Sequence, residues 1–317
     1  MQVNPPPLSP RVSADPAFGV GFDAPAAEII RTAAGTTLRL PLPRLGGETT
    51  ASLFPRVRPA GSARGFLLHE VDELLIGCSL QPVQGDPEAA ARELYGRLLA
   101  TSKGRPLYRI WNYVPAINAE PAGLENYRAF CSGRAQAFEA AYGADFKHDL
   151  SAASAVGCGG DSLALVFIAG RAAPRHIENP EQVAAYDYPP EHGARSPSFA
   201  RATVATHAGR PLVFISGTAA IKGHATVAPG RLAEQIDCTF DNLRLIGRAA
   251  GVGDDLDRGG RWQRHFKVYL RRAADLPEVT ARFAQEFLTP RDRVIYLQAD
   301  VCRAPLNLEI EATLVGV

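Results

Sequence analysis

Residues Arg293 to Val317, RVIYLQADVCRAPLNLEIEATLVGV, constrain the fold more than any other stretch of the chain. They divide into two largely alternating, β-prone runs, Val294 to Cys302 and Leu306 to Val315, separated by a short break that contains Pro305. Two such runs so close together predict a terminal hairpin near the centre of a sheet. In the second run Leu306, Leu308, Ile310 and Ala312 share one face, and Asn307, Glu309 and Glu311 fall on the other. Periodicity alone assigns Glu309 to a solvated outer face, because antiparallel sheets usually keep one face wet.

The chain has 317 residues, 46% of them apolar, which is enough for two ordinary domains or one large one. Acids and bases are interleaved to a net charge of +1, so neither a nucleic acid nor an anionic membrane is an expected partner. Five scattered cysteines with no C-x-x-C pair read as reduced thiols. No apolar run reaches the ~20 residues needed to span a bilayer, and the prolyl, polar start MQVNPPPLSP lacks a secretory pattern. A cytoplasmic protein is expected.

Residues 1–25 read as a flexible lead-in, rich in proline and small residues. An N-terminal unit is expected over residues 26–170. Asp86-Pro87-Glu88 supplies an N-cap, a proline at N1 and an acid in the first turn of a helix running to Lys103-Gly104. A strand over Leu107–Val114 precedes a second helix, Leu124–Tyr142, which Gly143 caps. Gly133 inside that helix signals close approach of another backbone or a ligand, since mid-helix glycine costs ~1 kcal/mol relative to alanine. Strands over Ser151–Gly157 and Ser162–Ala169 flank Cys158-Gly159-Gly160-Asp161, which reads as a hairpin turn. Residues 171–200 lack periodicity and form a connecting loop, either a plain linker or a candidate lid. Residues 201–317 repeat the grammar of the first half, with helices at about Arg231–Ala250 and Pro277–Leu288. The expected fold is α+β: two fused units, each a mixed sheet with helices packed on one face.

No nucleophile elbow, phosphate loop or dinucleotide fingerprint is present, and the seven histidines show no metal-ligand spacing. No cofactor and no metal are therefore expected. Several short motifs in fixed order carry more. Ile215-Ser216-Gly217, Gln235-x-x-Cys238-x-x-x-Asn242-Leu243, Ala250-Gly251, Lys267-Val268-Tyr269 and Leu308-Glu309-Ile310-Glu311 together resemble the core of the YjgF/Rid superfamily. Upstream, RIWNYVPAIN (Arg109–Asn118), ENYRAFCSGRAQAF (Glu125–Phe138), SAASAVG (Ser151–Gly157), ENPEQVAAYDYP (Glu178–Pro189) and SPSFARA (Ser196–Ala202) resemble one branch of it, the chorismatases.

That resemblance implies a YjgF-like fold for both units and cofactor-free removal of the enolpyruvyl group of chorismate as pyruvate. It implies that Glu309 is the proton donor, which demands a carboxyl kept protonated by burial or a neighbouring charge, and hence a pocket. Cys302, seven residues earlier, and Gly217 resemble the pattern of the members that form 3-hydroxybenzoate, with or without some 4-hydroxybenzoate. The alternatives are hydrolysis to the 3,4-dihydroxycyclohexadiene carboxylate, or a Rid-like imine deaminase or metabolite-binding protein. Chorismate carries two carboxylates, so cations are needed; Arg134, Arg201 and Arg271 are candidates, with Tyr188 and the backbone at Ser216-Gly217. Arg303, next to Cys302, should face away from it in a regular strand. The chain is expected to act as a monomer or in a pseudo-trimeric assembly.

Overall fold

The computed structural model describes residues 18–33, 35–54, 56–121 and 123–317. Its first unit comprises β1 (Arg58–Ala63), β2 (Phe66–Val71), β3 (Leu74–Pro82), α1 (Pro87–Thr101), β4 (Leu107–Pro115), α2 (Asn126–Tyr142), β5 (Ala152–Cys158) and β6 (Ser162–Ala169). The second comprises β7 (Arg175–Ile177), β8 (Ala202–His207), β9 (Arg210–Thr218), α3 (Leu232–Ala249), β10 (Trp262–Leu270), α4 (Leu276–Glu286), β11 (Arg293–Gln298) and β12 (Leu308–Gly316). The sheet orders β5-β4-β6-β3-β2-β1 and β11-β10-β12-β9-β8-β7 correspond strand for strand, and a seventh strand, Arg44–Gly47, extends the second sheet by pairing antiparallel with β11. The chain thus adopts the expected α+β plan of two fused mixed sheets.

Local signals set the helices. The Asp86 side chain accepts a hydrogen bond from the Ala89 amide at 2.9 Å, and Pro87 occupies the first turn of α1. Helix α2 ends at Gly143, whose φ of 82° lies in the left-handed region that favours glycine. A Cβ on Gly133 would lie 2.0 Å from the Glu88 carbonyl oxygen, so the mid-helix glycine is what lets α2 pack directly on α1.

The expected hairpins do not form. Strand β10 lies between β11 and β12, pairing parallel with the first and antiparallel with the second, and β4 separates β5 from β6 in the same way. The reason is the helical crossover: α4 returns the chain parallel to β10, so β12 can pair only on the other side of β10, next to β9. Residues 299–307 therefore cross the end of the sheet as a connection, and Cys302 is in that connection, not in a strand.

Burial also departs from the one-wet-face expectation. Leu308, Ile310, Ala312 and Leu314 of β12 pack beneath α3 and α4, and α1 and α2 cover the first sheet in the same manner. The opposite faces of the two sheets share a third core containing Trp111, Tyr113, Phe214, Tyr269 and Leu297. Phe18, Val20 and Leu38 join it from a four-stranded sheet built from Phe18–Gly21, Glu28–Arg31, Thr36–Arg39 and Thr50–Ala51. The flexible lead-in expected for residues 1–25 is thereby corrected from Phe18 onward, where apolar side chains find a core; residues 1–17 lie outside the described residues. The β5 edge is tied to the second unit through Ala152 N to Thr203 Oγ1 (2.8 Å), Ala153 N to Ser216 Oγ (2.9 Å) and Gly157 N to Asp300 O (2.7 Å). No helix among the described residues is long and apolar enough to cross a membrane.

Candidate active site

Two carboxylates on the inner face of β12 have opposite surroundings. Glu311 is buried but saturated: it accepts from Lys267 Nζ (2.7 Å), Arg109 Nη2 (2.7 Å), Trp111 Nε1 (2.6 Å) and Ser154 Oγ (2.6 Å). Burial alone raises a carboxyl pKa; here Lys267 and Arg109, with the hydrogen bonds from Lys267 and Ser154, outweigh it and hold Glu311 below the usual range. This carboxylate is charged and fixed in place across the junction of the two units.

Glu309 has neither cation nor donor at its free oxygen. It is 3% exposed, and its Oε1 has no hydrogen-bond partner among the described residues. Burial first, and the charge of Glu311 second, raise its pKa from 4.5 to about 8 against the smaller pull of Arg109 and Arg201. Two acids two residues apart are thus driven to different protonation states, the arrangement that separates an acid from an anion in carboxylate catalysis. Gly217 gives Glu309 its room, because a Cβ there would fall 1.8 Å from Oε1. The Gly217 amide donates to Ser154 Oγ at 2.9 Å, which links the two carboxylates' supports.

Glu309 opens into a cavity of about 470 Å³ between the units, whose walls include Arg134, Tyr188, Arg201, Gly217, Cys302 and Arg303. A cavity of that size suits a small metabolite. Arg134 is buried among aromatic rings, its guanidinium 5.2 Å from the Phe130 centroid, and its Nε and Nη2 make no hydrogen bond of ordinary geometry. Arg201 donates to the Tyr188 hydroxyl at 2.7 Å, and its buried Nε makes no hydrogen bond, the Glu178 carboxylate standing 3.9 Å away as an ion-pair partner. Buried guanidinium hydrogens left unused are expensive unless an anion meets them. Burial and the nearby Glu309 push the Cys302 thiol up to about 12, so it is a neutral, polarisable wall at physiological pH.

The structure brings Glu309, Cys302, Arg134, Arg201, Tyr188 and Gly217 to one cavity. It does not place Arg271 there, which corrects its assignment as a carboxylate holder. Arg271 spends its donors on the 299–307 connection: Leu306 O at 2.8 Å, Asp300 Oδ1 at 2.5 Å, Val301 O at 3.2 Å, Arg303 O at 3.1 Å and, across the junction, Asn118 Oδ1 at 3.2 Å. It shapes the loop that carries Cys302. Ser216 is likewise fully buried, donating to Ala200 O (2.6 Å) and accepting from Ala153 N, so its side chain joins the units and does not reach the cavity. Arg303, expected to face away from Cys302, lies beside it instead: strand alternation ends at Gln298, so Cys302 and Arg303 both line the cavity. Arg109, Ser154 and Lys267, which fix Glu311, are missed by reasoning confined to β12. The alternation of Arg109, Trp111 and Tyr113 in the RIWNYV run is the signal that points to them.

Residues 56–169 match the family described as chorismatase FkbO/Hyg5-like, N-terminal. A Streptomyces hygroscopicus protein named 3-hydroxybenzoate synthase is 40% identical over 65% of this chain, which spans 62% of that relative's length. A chorismatase of the same species is 36% identical over 89% of this chain and 82% of its own. Among solved structures, a chorismatase crystal structure superposes with a TM-score of 0.79 and 29% identity, covering 94% of this chain and 92% of that one.

Proposed function

This chain belongs to the chorismatase family, and from that premise we propose that it converts chorismate to 3-hydroxybenzoate and pyruvate. The observation that carries the reading is Glu309, an acid whose pKa of about 8 keeps it protonated in the wall of a cavity lined by partly unused arginines. An enol ether becomes a leaving group once its methylene carbon is protonated, and a carboxylic acid kept neutral at physiological pH can supply that proton.

Glu309 gives its proton to the methylene carbon, leaving an oxocarbenium at the ether carbon. The ring 4-hydroxyl then attacks the adjacent ring carbon. The ring carbon–oxygen bond breaks with its electron pair going to oxygen, pyruvate leaves, and the hydroxyl proton returns to the Glu309 carboxylate. The resulting arene oxide opens and loses a ring proton to give the phenol. All substrate atoms are divided between the two products, and no water is consumed. Arg134, Arg201 and Arg303 hold the two substrate carboxylates, and the neutral Cys302 thiol keeps water from the ring.

Purified wild type and Glu309→Gln are incubated with chorismate, and pyruvate and the ring product are identified. The expected result is 3-hydroxybenzoate with equimolar pyruvate from wild type and near-inactivity in the folded variant. A diol as the sole ring product replaces the reading with hydrolysis, and untouched chorismate replaces it with imine hydrolysis or metabolite binding.

A further inference from the structure

The rim of the cavity holds three side chains that the proposed reaction does not use. Glu191 and His192 lie in the short turn Pro190–His192, and His224 lies between the paired segments Ile221–Lys222 and Ala225–Thr226. Nε2 of His192 is 3.0 Å from Nδ1 of His224. Oε1 of Glu191 is 3.3 Å from that Nδ1 and 3.5 Å from that Nε2. The three ligand atoms form a nearly equilateral triangle. A tetrahedral ion at about 2.0–2.2 Å from each needs edges of about 3.3–3.6 Å, so the side chains stand within a few tenths of an ångström of that geometry. Spacing along the chain hides the set, since Glu191 and His192 are consecutive and His224 comes from a separate segment.

We propose that Glu191, His192 and His224 bind a zinc-class divalent ion at the cavity rim, with its fourth coordination position open. Two imidazoles with one carboxylate favour zinc, cobalt or nickel over calcium or magnesium, which take oxygen ligands. The site is preorganised: the Tyr188 ring packs 5.2 Å from the His192 ring and 6.5 Å from that of His224. Arg303 donates to the His224 carbonyl at 2.8 Å and fixes that segment. Its guanidinium and, more weakly, that of Arg128 are nearby charges opposing the ion, and the Glu191 carboxylate works against them. Glu191 and His192 line the cavity while His224 approaches from the facing segment, so a bound ion staples the two across the rim.

The test is calorimetric titration of the metal-free full chain with zinc chloride, paired with visible absorption on adding cobalt chloride. One ion per chain is expected, with the intense bands of four-coordinate cobalt. His192→Ala and His224→Ala should each weaken binding about tenfold or more. Glu191→Gln, at an exposed side chain where folding is not at stake, should weaken it as well. His148→Ala, at a remote exposed imidazole, and Cys302→Ser should leave it unchanged, and melting curves without metal should show every variant folded. Absence of one-to-one binding in wild type, or loss in only one or neither histidine variant, overturns the site.

Discussion

A Cβ on Gly217 would sit 1.8 Å from Oε1 of Glu309, so the acid occupies the space that a side chain at position 217 would take. Gly217 lies at the end of β9 opposite β12, outside the left-handed backbone region, so alanine there is conformationally free and its only severe conflict is with the carboxyl. Gly217→Ala should therefore displace Glu309 and not unfold β9. Misplacing a reacting group by about 1 Å costs about a hundredfold in rate, and kcat for pyruvate release should fall by that order with a small change in Tm. Added to Glu309→Gln, the same substitution should cost almost nothing further; an additive loss would show that Gly217 acts apart from the acid.

A general acid works only while protonated. With its pKa raised from 4.5 to about 8, Glu309 keeps its proton through neutral pH, and kcat/KM should be level below about pH 7 and fall about tenfold per unit above about pH 8. Stability follows the same group. The folded state holds a proton that the unfolded chain releases near pH 4.3, so the stability from Glu309 is complete below about pH 4 and is lost as pH rises toward about 8. Glu309→Gln, which has no proton to lose, should melt higher than wild type at about pH 9 and lose that advantage at about pH 4. A pH profile that stays level to about pH 10 would remove Glu309 as the acid.

Glu311 carries the opposite dependence. Its charge is held by Lys267 and Arg109, so Lys267→Met leaves a buried carboxylate short of one cation. Breaking a buried pair in this way costs about 3–5 kcal/mol. Arg109 remains, so the lower end is expected, read as a drop in urea midpoint without a change in m-value. The folded Glu311 pKa is depressed, so its contribution is present above the unfolded pKa and is lost on acidification. The gap between wild type and Lys267→Met should accordingly narrow below about pH 4. An equal gap at every pH would mean that Lys267 acts through packing on Trp111, whose ring centre lies 4.7 Å from Nζ, and not through charge.

Elements with local signals are legible in the sequence: Asp86-Pro87 opens α1, Gly143 closes α2, and Gly133 marks the α1–α2 contact. Strand neighbours are not, because alternation tells which residues share a face and nothing of which strand lies beside which. The insertion of β10 between β11 and β12 depends on the α4 crossover, and with it goes the placement of Cys302, Arg271 and Arg303. The burial of Glu309 illustrates the same limit. Its face is dry only because Arg109, Trp111 and Ser154, more than 150 residues earlier, bring a second sheet against it. Only the resemblance, not the periodicity of β12, anticipates a pocket there.

Cys302 should decide the product. Its thiol, with a pKa of about 12, is neither nucleophile nor base at neutral pH, so the contribution proposed for it is volume and low polarity in the cavity wall. The 299–307 connection is pinned by Arg271, so the backbone should not collapse into the space when the sulfur is removed. Cys302→Ala then makes room for a water molecule that competes with the ring 4-hydroxyl for the protonated ether. Total pyruvate release should fall by less than about tenfold, since protonation by Glu309 is untouched, while a diol appears at the expense of 3-hydroxybenzoate. Heavy-oxygen water locates the attack: water that adds to the oxocarbenium carbon leaves its oxygen in pyruvate and both diol oxygens from substrate, water that attacks the ring labels the diol, and 3-hydroxybenzoate keeps only substrate oxygen. A variant that forms unlabelled 3-hydroxybenzoate alone, at wild-type rate, would show that Cys302 neither excludes water nor directs the chemistry.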